Sequence, residues 1–265
     1  MSTARRARAL LSVYYAYMLE YRAEILLWAL SNILPLIMMG IWMEVGKDGS
    51  MELTPVDFAR YFLAIFIVRQ FTVVWVIWEF EFHVVEGKLS PYLLQPMDPV
   101  WRFMAGHVAE RVTRLPFSIL FVILFFVLYP DAIWTPGVID AFWAIVFVVL
   151  TFLMRFLMQY TSGMLAFWFE RASSVEHLMW LPYLFLSGLV APLDVYPPLV
   201  REIVLYTPFP YLLWYPVKLL THGIDATGVG LFQALGVMGA WGLAYFALNR
   251  WLWRLGLKHY SAMGA

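Results

Sequence analysis

The chain has 265 residues, of which 63% are hydrophobic and 14% are charged, against about a quarter charged in an average soluble domain. Eighteen basic and eighteen acidic residues balance to a net charge of zero, so the composition does not suggest nucleic acid as a partner. The absence of cysteine excludes disulfide frameworks and thiolate metal sites. These properties predict an integral membrane protein.

The first predicted element is an interfacial helix over residues 5–22. Its apolar and aromatic side chains recur at helical spacing, which places the rings at headgroup depth. The recurring residues are Leu10, Val13, Tyr14, Tyr17 and Tyr21. The alternative is that this helix is only the cytoplasmic start of the first span. Arg5, Arg6 and Arg8 resemble the start of a signal peptide, but no small-residue cleavage site follows them, so we do not expect cleavage.

Six apolar segments are predicted to cross the membrane, because a helix of about 20 apolar residues spans a hydrocarbon core of about 30 Å. They are residues 25–43, 58–78, 104–129, 138–167, 178–193 and 231–253. Pro35 lies inside the first segment and is expected to kink it. The fifth is short, since its 16 residues make a helix of only about 24 Å. The predicted fold class is an all-α integral membrane protein with six transmembrane helices in one domain over residues 1–265.

Basic residues predict the orientation of these spans. With both termini in the cytoplasm, twelve Lys and Arg residues fall on the cytoplasmic side and three fall outside, as the positive-inside rule requires. The twelve are Arg5, Arg6, Arg8, Arg22, Lys88, Arg102, Arg111, Arg114, Arg171, Arg250, Arg254 and Lys258. The three are Lys47, Arg201 and Lys218. Because both ends share one side, the number of crossings is even.

Residues 194–229 are predicted to form an external re-entrant arm before the last span. Six prolines lie between residues 192 and 216. Each proline inside a helix costs about 3 kcal/mol or more, so one continuous crossing is not expected. An even number of crossings then keeps the segment on the outer side as a pair of short helices, with Asp194 facing the outer water. The predicted external gate consists of Leu205, Leu212 and Trp214.

The polar stretch 79–107, between the second and third spans, is predicted to lie outside the hydrocarbon core on the cytoplasmic side. Its central part, residues 83–101, carries a short apolar face bounded by Gly87 and Pro96. That face consists of Leu89, Tyr92, Leu93 and Leu94. A short helix that exposes apolar residues needs a partner, and the partner predicted here is a separate motor subunit.

These features together resemble the permease subunits of ABC-2 type transporters. The resemblance rests on the amphipathic first helix, six spans, the Pro-rich arm, and the sequence Glu-Gly-Lys-Leu-Ser-Pro-Tyr-Leu-Leu-Gln-Pro at residues 86–96. The chain looks most like the branch in which two small six-span permeases work with one separately encoded ATPase. The layout covers nearly the whole chain, whereas the sequence-specific part is only residues 86–96. Gln95 departs from the family pattern, which commonly has Arg there.

The resemblance implies that the segment 83–101 is a coupling helix resting in a groove of the ATP-binding subunit. The residues implied at this joint are Glu86, Lys88, Leu89, Tyr92, Leu93 and Leu94. The implied partners are an ABC ATP-binding subunit in two copies, a second permease that is identical or paralogous, and membrane lipids. ATP and Mg would bind to the ATPase, so this chain is expected to hold no cofactor and no catalytic residue. The implied location is the bacterial cytoplasmic (inner) membrane.

Two arginines lie inside predicted spans. Arg69 is about 17 Å along the second span, where a charge is costly and must face protein or water. Two interpretations of Arg69 stay open: it lines a substrate path, or it pairs structurally with a carboxylate or carbonyl. Arg155 is expected to lie close enough to the inner interface for its side chain to reach the headgroups.

A metal site and a membrane-embedded enzyme are the other functional classes to weigh. Glu79, Glu81 and His83 are spaced by two residues, which puts successive side chains on different helix faces, and no Glu-x-x-His pair occurs in the chain. Glu79, Glu81, His83 and Glu86 are therefore predicted to form a solvated helix end and not a metal site. A lipid-modifying enzyme would need clustered Asp, Glu, His or Ser at membrane depth, and the spans contain almost no acidic residues. A non-transporting assembly factor is the third class. The favoured function is an ATP-driven exporter subunit for an amphipathic or hydrophobic substrate.

Overall fold

The computed structural model describes residues 3–20, 33–49, 51–221, 223–224 and 229–260, and within these ranges it has eleven α-helices and no β-strand. The helices are α1 (Thr3–Glu20), α2 (Leu34–Val45), α3 (Pro55–Thr72), α4 (Val76–Val85), α5 (Ser90–Leu93), α6 (Val100–Leu128), α7 (Val138–Gly163), α8 (Ser174–Leu186), α9 (Pro198–Val204), α10 (Trp214–Leu220) and α11 (Val229–His259). Short 3-10 segments lie at Gly46–Asp48, Pro130–Ala132, Met164–Phe167, Leu193–Val195 and Phe209–Leu212. The predicted all-α class is confirmed.

Four helical segments of the described chain are long and apolar enough to cross a membrane. They are Pro55–Val85, Val100–Leu128, Val138–Phe167 and Gly230–His259. These segments contain the predicted second, third, fourth and sixth spans. Residues 25–32 of the predicted first span lie outside the described residues, and the described remainder falls mainly in α2, where Pro35 lies in the first turn. Six crossings therefore remain a prediction.

The predicted fifth span corresponds to the 13-residue helix α8, which starts earlier than expected and contains Pro182. Its N-terminus is capped from another helix, because the Ser173 N–H donates a hydrogen bond of 2.5 Å to the Glu81 carboxylate. The Ser173 hydroxyl lies 3.1 Å from the same carboxylate. Glu81 was expected to be solvated at a helix end, whereas it holds the start of α8.

The second span is broken, although residues 58–78 were predicted to form one continuous helix. Helix α3 ends at Thr72 and α4 begins at Val76, with Val73 in an extended conformation (φ −69°, ψ 131°). The break contains neither Pro nor Gly. It falls in a run of β-branched and aromatic residues, which lose side-chain freedom in a helix. Irregular backbone at membrane depth requires protein or a water-filled cavity beside it.

Two apolar clusters hold the helices together. The first joins α3, α7 and the arm, and it includes Phe62, Phe147 and Trp214. The second surrounds α4 and residues 83–101, called the coupling segment below. At its centre the Phe80 ring lies 5.1 Å from the ring of Tyr160 and 5.6 Å from that of Phe167. The coupling segment therefore rests on a core of its own, separated from the first cluster by the break in the second span.

The described part of the arm contains no helix long enough to cross a membrane. Helices α9 and α10 have seven residues each, which corresponds to about 10 Å apiece. Asp194 does not stand free in solvent as expected. Its carboxylate lies 3.2 Å from the Lys218 ammonium and accepts a hydrogen bond of 3.1 Å from Trp214 Nε1. This ion pair joins the start of the arm to α10. It also gives the buried Lys218 a partner of opposite charge, without which its burial would be costly.

A cysteine at Glu202 should report the side on which the arm lies. Glu202 is exposed on α9, and the chain has no native cysteine. We expect an impermeant thiol reagent added to intact cells to label Glu202→Cys. The control is Lys258→Cys, exposed near the C-terminal end of α11, which should react only after permeabilisation. The opposite labelling pattern would overturn the external position of the arm.

Candidate functional site

The coupling segment, residues 83–101, is a tight turn followed by a single helical turn. Helix α4 ends at Val85, and Gly87 adopts a left-handed conformation (φ 69°) that side chains disfavour. The turn is closed by the Leu89 N–H, which donates a hydrogen bond of 2.8 Å to the His83 carbonyl. The chain then makes the four-residue helix α5 and reaches α6 through Pro99. The geometry reverses the chain at the end of the second span.

The implied joint residues do not all face outward. Glu86, Lys88 and Leu94 are exposed, and Leu94 is the most accessible apolar residue of the segment at 88%. Tyr92 and Leu93 are partly buried against the second apolar cluster. Leu89 is fully buried, which corrects its assignment to the exposed face, because the turn at Gly87 folds it back into the protein. The outward apolar face therefore centres on Leu94.

Polar contacts attach the coupling segment to the last helix, α11. The Ser90 hydroxyl lies 3.1 Å from the Tyr260 hydroxyl, just beyond the end of α11. Arg250 on α11 donates a hydrogen bond of 3.2 Å to the Asp98 carboxylate. Asp98 also accepts a hydrogen bond of 3.0 Å from the Val100 N–H at the start of α6. The two ends of the segment are thus tied to the same helix.

A groove of about 710 Å³ separates the coupling segment from helix α1. Its walls are Ala9, Leu10, Val13, Tyr14, Tyr17, Gln95, Pro96, Met97 and Arg102. The predicted apolar face of α1 therefore faces the coupling segment. Gln95 accepts a hydrogen bond from Arg102, whose guanidinium lies 4.8 Å from the centre of the Tyr92 ring. Burial raises the pKa of the Tyr14 hydroxyl above its ordinary value, and the nearby Tyr92 adds to this shift.

Arg111 on α6 donates hydrogen bonds to backbone carbonyls at the break in the second span. Its Nε donates a hydrogen bond of 2.7 Å to the Phe71 carbonyl, and its Nη2 donates one to the Val73 carbonyl. These carbonyls have lost their helical partners at the break. The guanidinium also lies 4.3 Å from the centre of the Phe152 ring. Arg111, one of the twelve basic residues assigned to the cytoplasmic side, is buried and caps a broken helix.

A chain of buried polar groups continues from Arg111 along α6. The Glu110 carboxylate accepts hydrogen bonds from Arg114, at 2.5 Å, and from Trp75 Nε1, at 3.1 Å. His107 lies between two acids, with 3.7 Å from Nε2 to Glu79 and 3.7 Å from Nδ1 to Glu110. Arg114, another of those twelve basic residues, is buried as well. The network links α6 to both sides of the break.

Arg69 and Arg155 meet at one tyrosine of α8. Arg69 Nη1 donates a hydrogen bond of 3.2 Å to the Tyr183 hydroxyl. The Arg155 guanidinium lies over the face of the same ring, 4.3 Å from its centre. Both arginines are more than nine-tenths buried, so Arg155 does not reach the headgroups as expected. Three elements, α3, α7 and α8, thus position two cations side by side at membrane depth.

The predicted gate residues lie within the arm and the first apolar cluster. Leu212 and Trp214 are each 2% exposed, and Leu205 is partly buried against the same cluster. The arm is held to α7 by the Thr151 hydroxyl, which donates a hydrogen bond of 2.8 Å to the Tyr211 carbonyl. Whether these residues gate a path stays a prediction. Their burial means that opening such a gate would require the whole arm to move.

Several contacts of this site had no signal in the sequence. Tyr183, Tyr260 and Asp98 occur in unremarkable contexts, and their importance comes from partners more than 80 residues away. The sequence offered one indication, the placement of His107, Arg111 and Arg114 on one face of α6, because residues three or four apart share a helix face. In the described ranges no three His, Asp or Glu side chains cluster closely enough to hold a metal ion.

A family model described as "ABC-2 family transporter protein" matches residues 56–264. The match starts in the first turn of α3 and continues beyond α11, so it includes the coupling segment, Arg69, Arg155 and the arm. No match was found among curated proteins. The family is one of transporter membrane subunits, which are not themselves catalytic and which associate with an ABC ATPase subunit. The chain therefore belongs to the ABC-2 transporter family and is a membrane-spanning permease of an ABC transporter.

Proposed function

We propose that this permease belongs to an ATP-driven exporter of amphipathic or hydrophobic molecules and is driven by a separate ATP-binding subunit docked on the coupling segment. ATP and Mg bind to that partner, which is present in two copies. A second permease, identical or paralogous, completes the membrane part. The complex lies in the bacterial cytoplasmic membrane, with both termini of this chain in the cytoplasm.

The observation that carries the proposal is the way the coupling segment is fastened. Leu94 projects from it into solvent, whereas Leu89 is anchored in the second apolar cluster. Ser90 contacts Tyr260, just beyond the end of α11, and Asp98 accepts a hydrogen bond from Arg250 on α11. A displacement of Leu94 would therefore be transmitted through these contacts to both α4 and α11.

The break in the second span allows this displacement to move α4 separately from α3. Because α3 and α4 do not share a continuous helical backbone, α4 can tilt without carrying α3 with it. The hydrogen bonds of Arg111 keep the carbonyls at the break satisfied during such a motion. Small shifts at an interface are amplified when a packed element has two discrete positions. Movement of the ATPase would in this way reach the buried arginines beside the break.

The Leu94→Asp variant tests the docking site. A charge at the centre of an apolar contact should reduce the amount of ATPase that co-purifies with the permease by about tenfold or more. Leu94 is the appropriate position because its exposure lets the chain fold normally, whereas Leu93 is partly buried. The matched control is Leu257→Asp, which is also exposed, near the C-terminus.

The measurement is the ratio of ATPase to permease after affinity purification in mild detergent. Leu257→Asp should leave that ratio unchanged. An unchanged ratio for Leu94→Asp, with both variants folded and inserted, would rule out this segment as the joint.

A further inference from the structure

A cavity of about 230 Å³ lies beside the break in the second span. Its walls come from the break and its flanking helices, from α7 and from α8. They are Arg69, Val73, Val74, Trp75, Trp78, Arg155, Gln159, Glu176, His177 and Trp180. The two arginines held by Tyr183 thus face a common space rather than the body of a packed core.

Arg155, which lines this cavity, has a side-chain donor without a partner among the described residues. Its Nη1 is buried and has no hydrogen-bond partner in the part of the chain that the structure describes. An unsatisfied buried donor on a charged group is costly, so such a group calls for an acceptor. Arg69, which lines the same cavity, adds a second guanidinium that can donate to the same acceptor. Paired guanidinium groups suit the oxygens of a phosphate or a carboxylate.

The acidic residue of the cavity does not neutralise this pair. Glu176 is the one carboxylate among the described lining residues, and its Oε1 accepts a hydrogen bond of 2.8 Å from Gln159 Nε2. Two arginines against one glutamate leave an excess of positive charge. In a low-dielectric surrounding this excess favours an anion over a cation or a neutral molecule.

Tryptophans at the edge of the cavity indicate what the rest of the ligand is like. Trp78 and Trp180 are 41% and 40% exposed, so their rings form an apolar rim next to the charged interior. Tryptophan suits such a boundary because its ring is apolar and its N–H is polar. The cavity is smaller than the roughly 300–1,000 Å³ of a site that encloses a drug-sized ligand. It can hold a headgroup, while an apolar tail lies along the rim.

We infer that this cavity binds the anionic headgroup, a phosphate or a carboxylate, of an amphipathic molecule, with Arg155 and Arg69 as the binding residues. The inference rests on the proposed function, since it names the substrate class of the same transporter. The break in the second span places the site where movement of α4 changes its shape. A headgroup held there would be released when α4 tilts away from α7 and α8.

Protection of a cysteine at His177 tests the site. His177 is exposed at the cavity wall, and the permease with its ATPase can be reconstituted in phosphatidylcholine discs. Decyl phosphate should slow the reaction of His177→Cys with a thiol reagent at concentrations about tenfold or more below those of decylphosphocholine or inorganic phosphate. The control is Ser174→Cys, exposed one turn earlier on α8 and outside the cavity, which should not be protected.

Substitutions of the arginines should remove this protection. In the His177→Cys background, Arg155→Gln and Arg69→Gln should each raise the half-protecting concentration by about tenfold or more. Arg155→Lys should restore part of the effect because it keeps the charge, which separates a loss of binding from a loss of fold. Arg201→Gln, a variant of a partly exposed arginine on the arm, should have no effect.

The source of the headgroup is distinguished by the lipid of the disc. Protection in phosphatidylglycerol discs without added amphiphile would identify a membrane lipid, and protection only after addition of decyl phosphate would identify a free amphiphile. Equal protection by decylphosphocholine, or protection that persists in both folded Arg→Gln variants, would overturn the inference. Leu94→Asp should keep the protection, so a failure of ATPase docking and a failure of this site give different results.

Discussion

Arg111→Leu is expected to lower the apparent melting temperature of the purified permease by roughly 6–12 °C. The substitution leaves the carbonyls of Phe71 and Val73 without their buried donor at membrane depth. Each buried acceptor left unsatisfied costs about 1–3 kcal/mol. Loss of the contact with the Phe152 ring adds to this. Melting followed by size-exclusion chromatography of the detergent-solubilised protein measures the change.

Two further variants make the Arg111 result specific. Arg111→Lys keeps a cation but offers no planar fork of donors, so it should recover only part of the loss. Val112→Leu changes the neighbouring side chain, which is 49% exposed, and should melt like the unaltered permease. If Arg111→Leu were as stable as Val112→Leu, Arg111 would not be the group that supports the break.

Gly188→Ala is expected to destabilise the permease by about 2–6 kcal/mol, combining backbone strain with overpacking. Gly188 has a φ of 86°, where other residues are strained. A Cβ atom there would overlap with the Tyr61 hydroxyl and lie 3.0 Å from Trp214 Cβ. The Tyr61 hydroxyl donates a hydrogen bond of 2.9 Å to the Gly188 carbonyl, so the clash pushes apart α3 and the turn that follows α8.

The matched control for Gly188 is Gly239→Ala on α11. A Cβ atom at Gly239 would have open space around it. Alanine is also the better helix former by about 1 kcal/mol, so this variant should melt at or slightly above the temperature of the unaltered permease. If the Gly188→Ala permease had the same melting temperature as the Gly239→Ala permease, the arm would not depend on this turn.

Local pattern was enough for the membrane class and the family. Long apolar segments need only composition and length to be recognised, because the hydrocarbon core accepts almost any sequence of apolar helix. The resemblance carried by residues 86–96 and the layout is confirmed by the family match. The short helices α9 and α10 also follow from the prolines around them, since proline acts on its own stretch of backbone.

Contacts between residues that are distant along the chain decided the features that local sequence did not predict. The break at Val73 contains no Pro or Gly from which it could have been predicted. It is stabilised by Arg111 from another helix, which donates hydrogen bonds to the freed carbonyls. Leu89 and Leu94 are chemically alike, yet the turn at Gly87 buries one and exposes the other.

The position of the Arg155 side chain could likewise not be predicted from local sequence. Its position in the chain predicted a side chain that reaches the headgroups, but the face of Tyr183 holds it beside Arg69. The sequence alone therefore determined a helical ABC-2 permease with a polar segment at residues 79–107. Tertiary structure decided which residues of that segment face outward and which charges meet at membrane depth, because burial and pairing depend on neighbours that are remote along the chain.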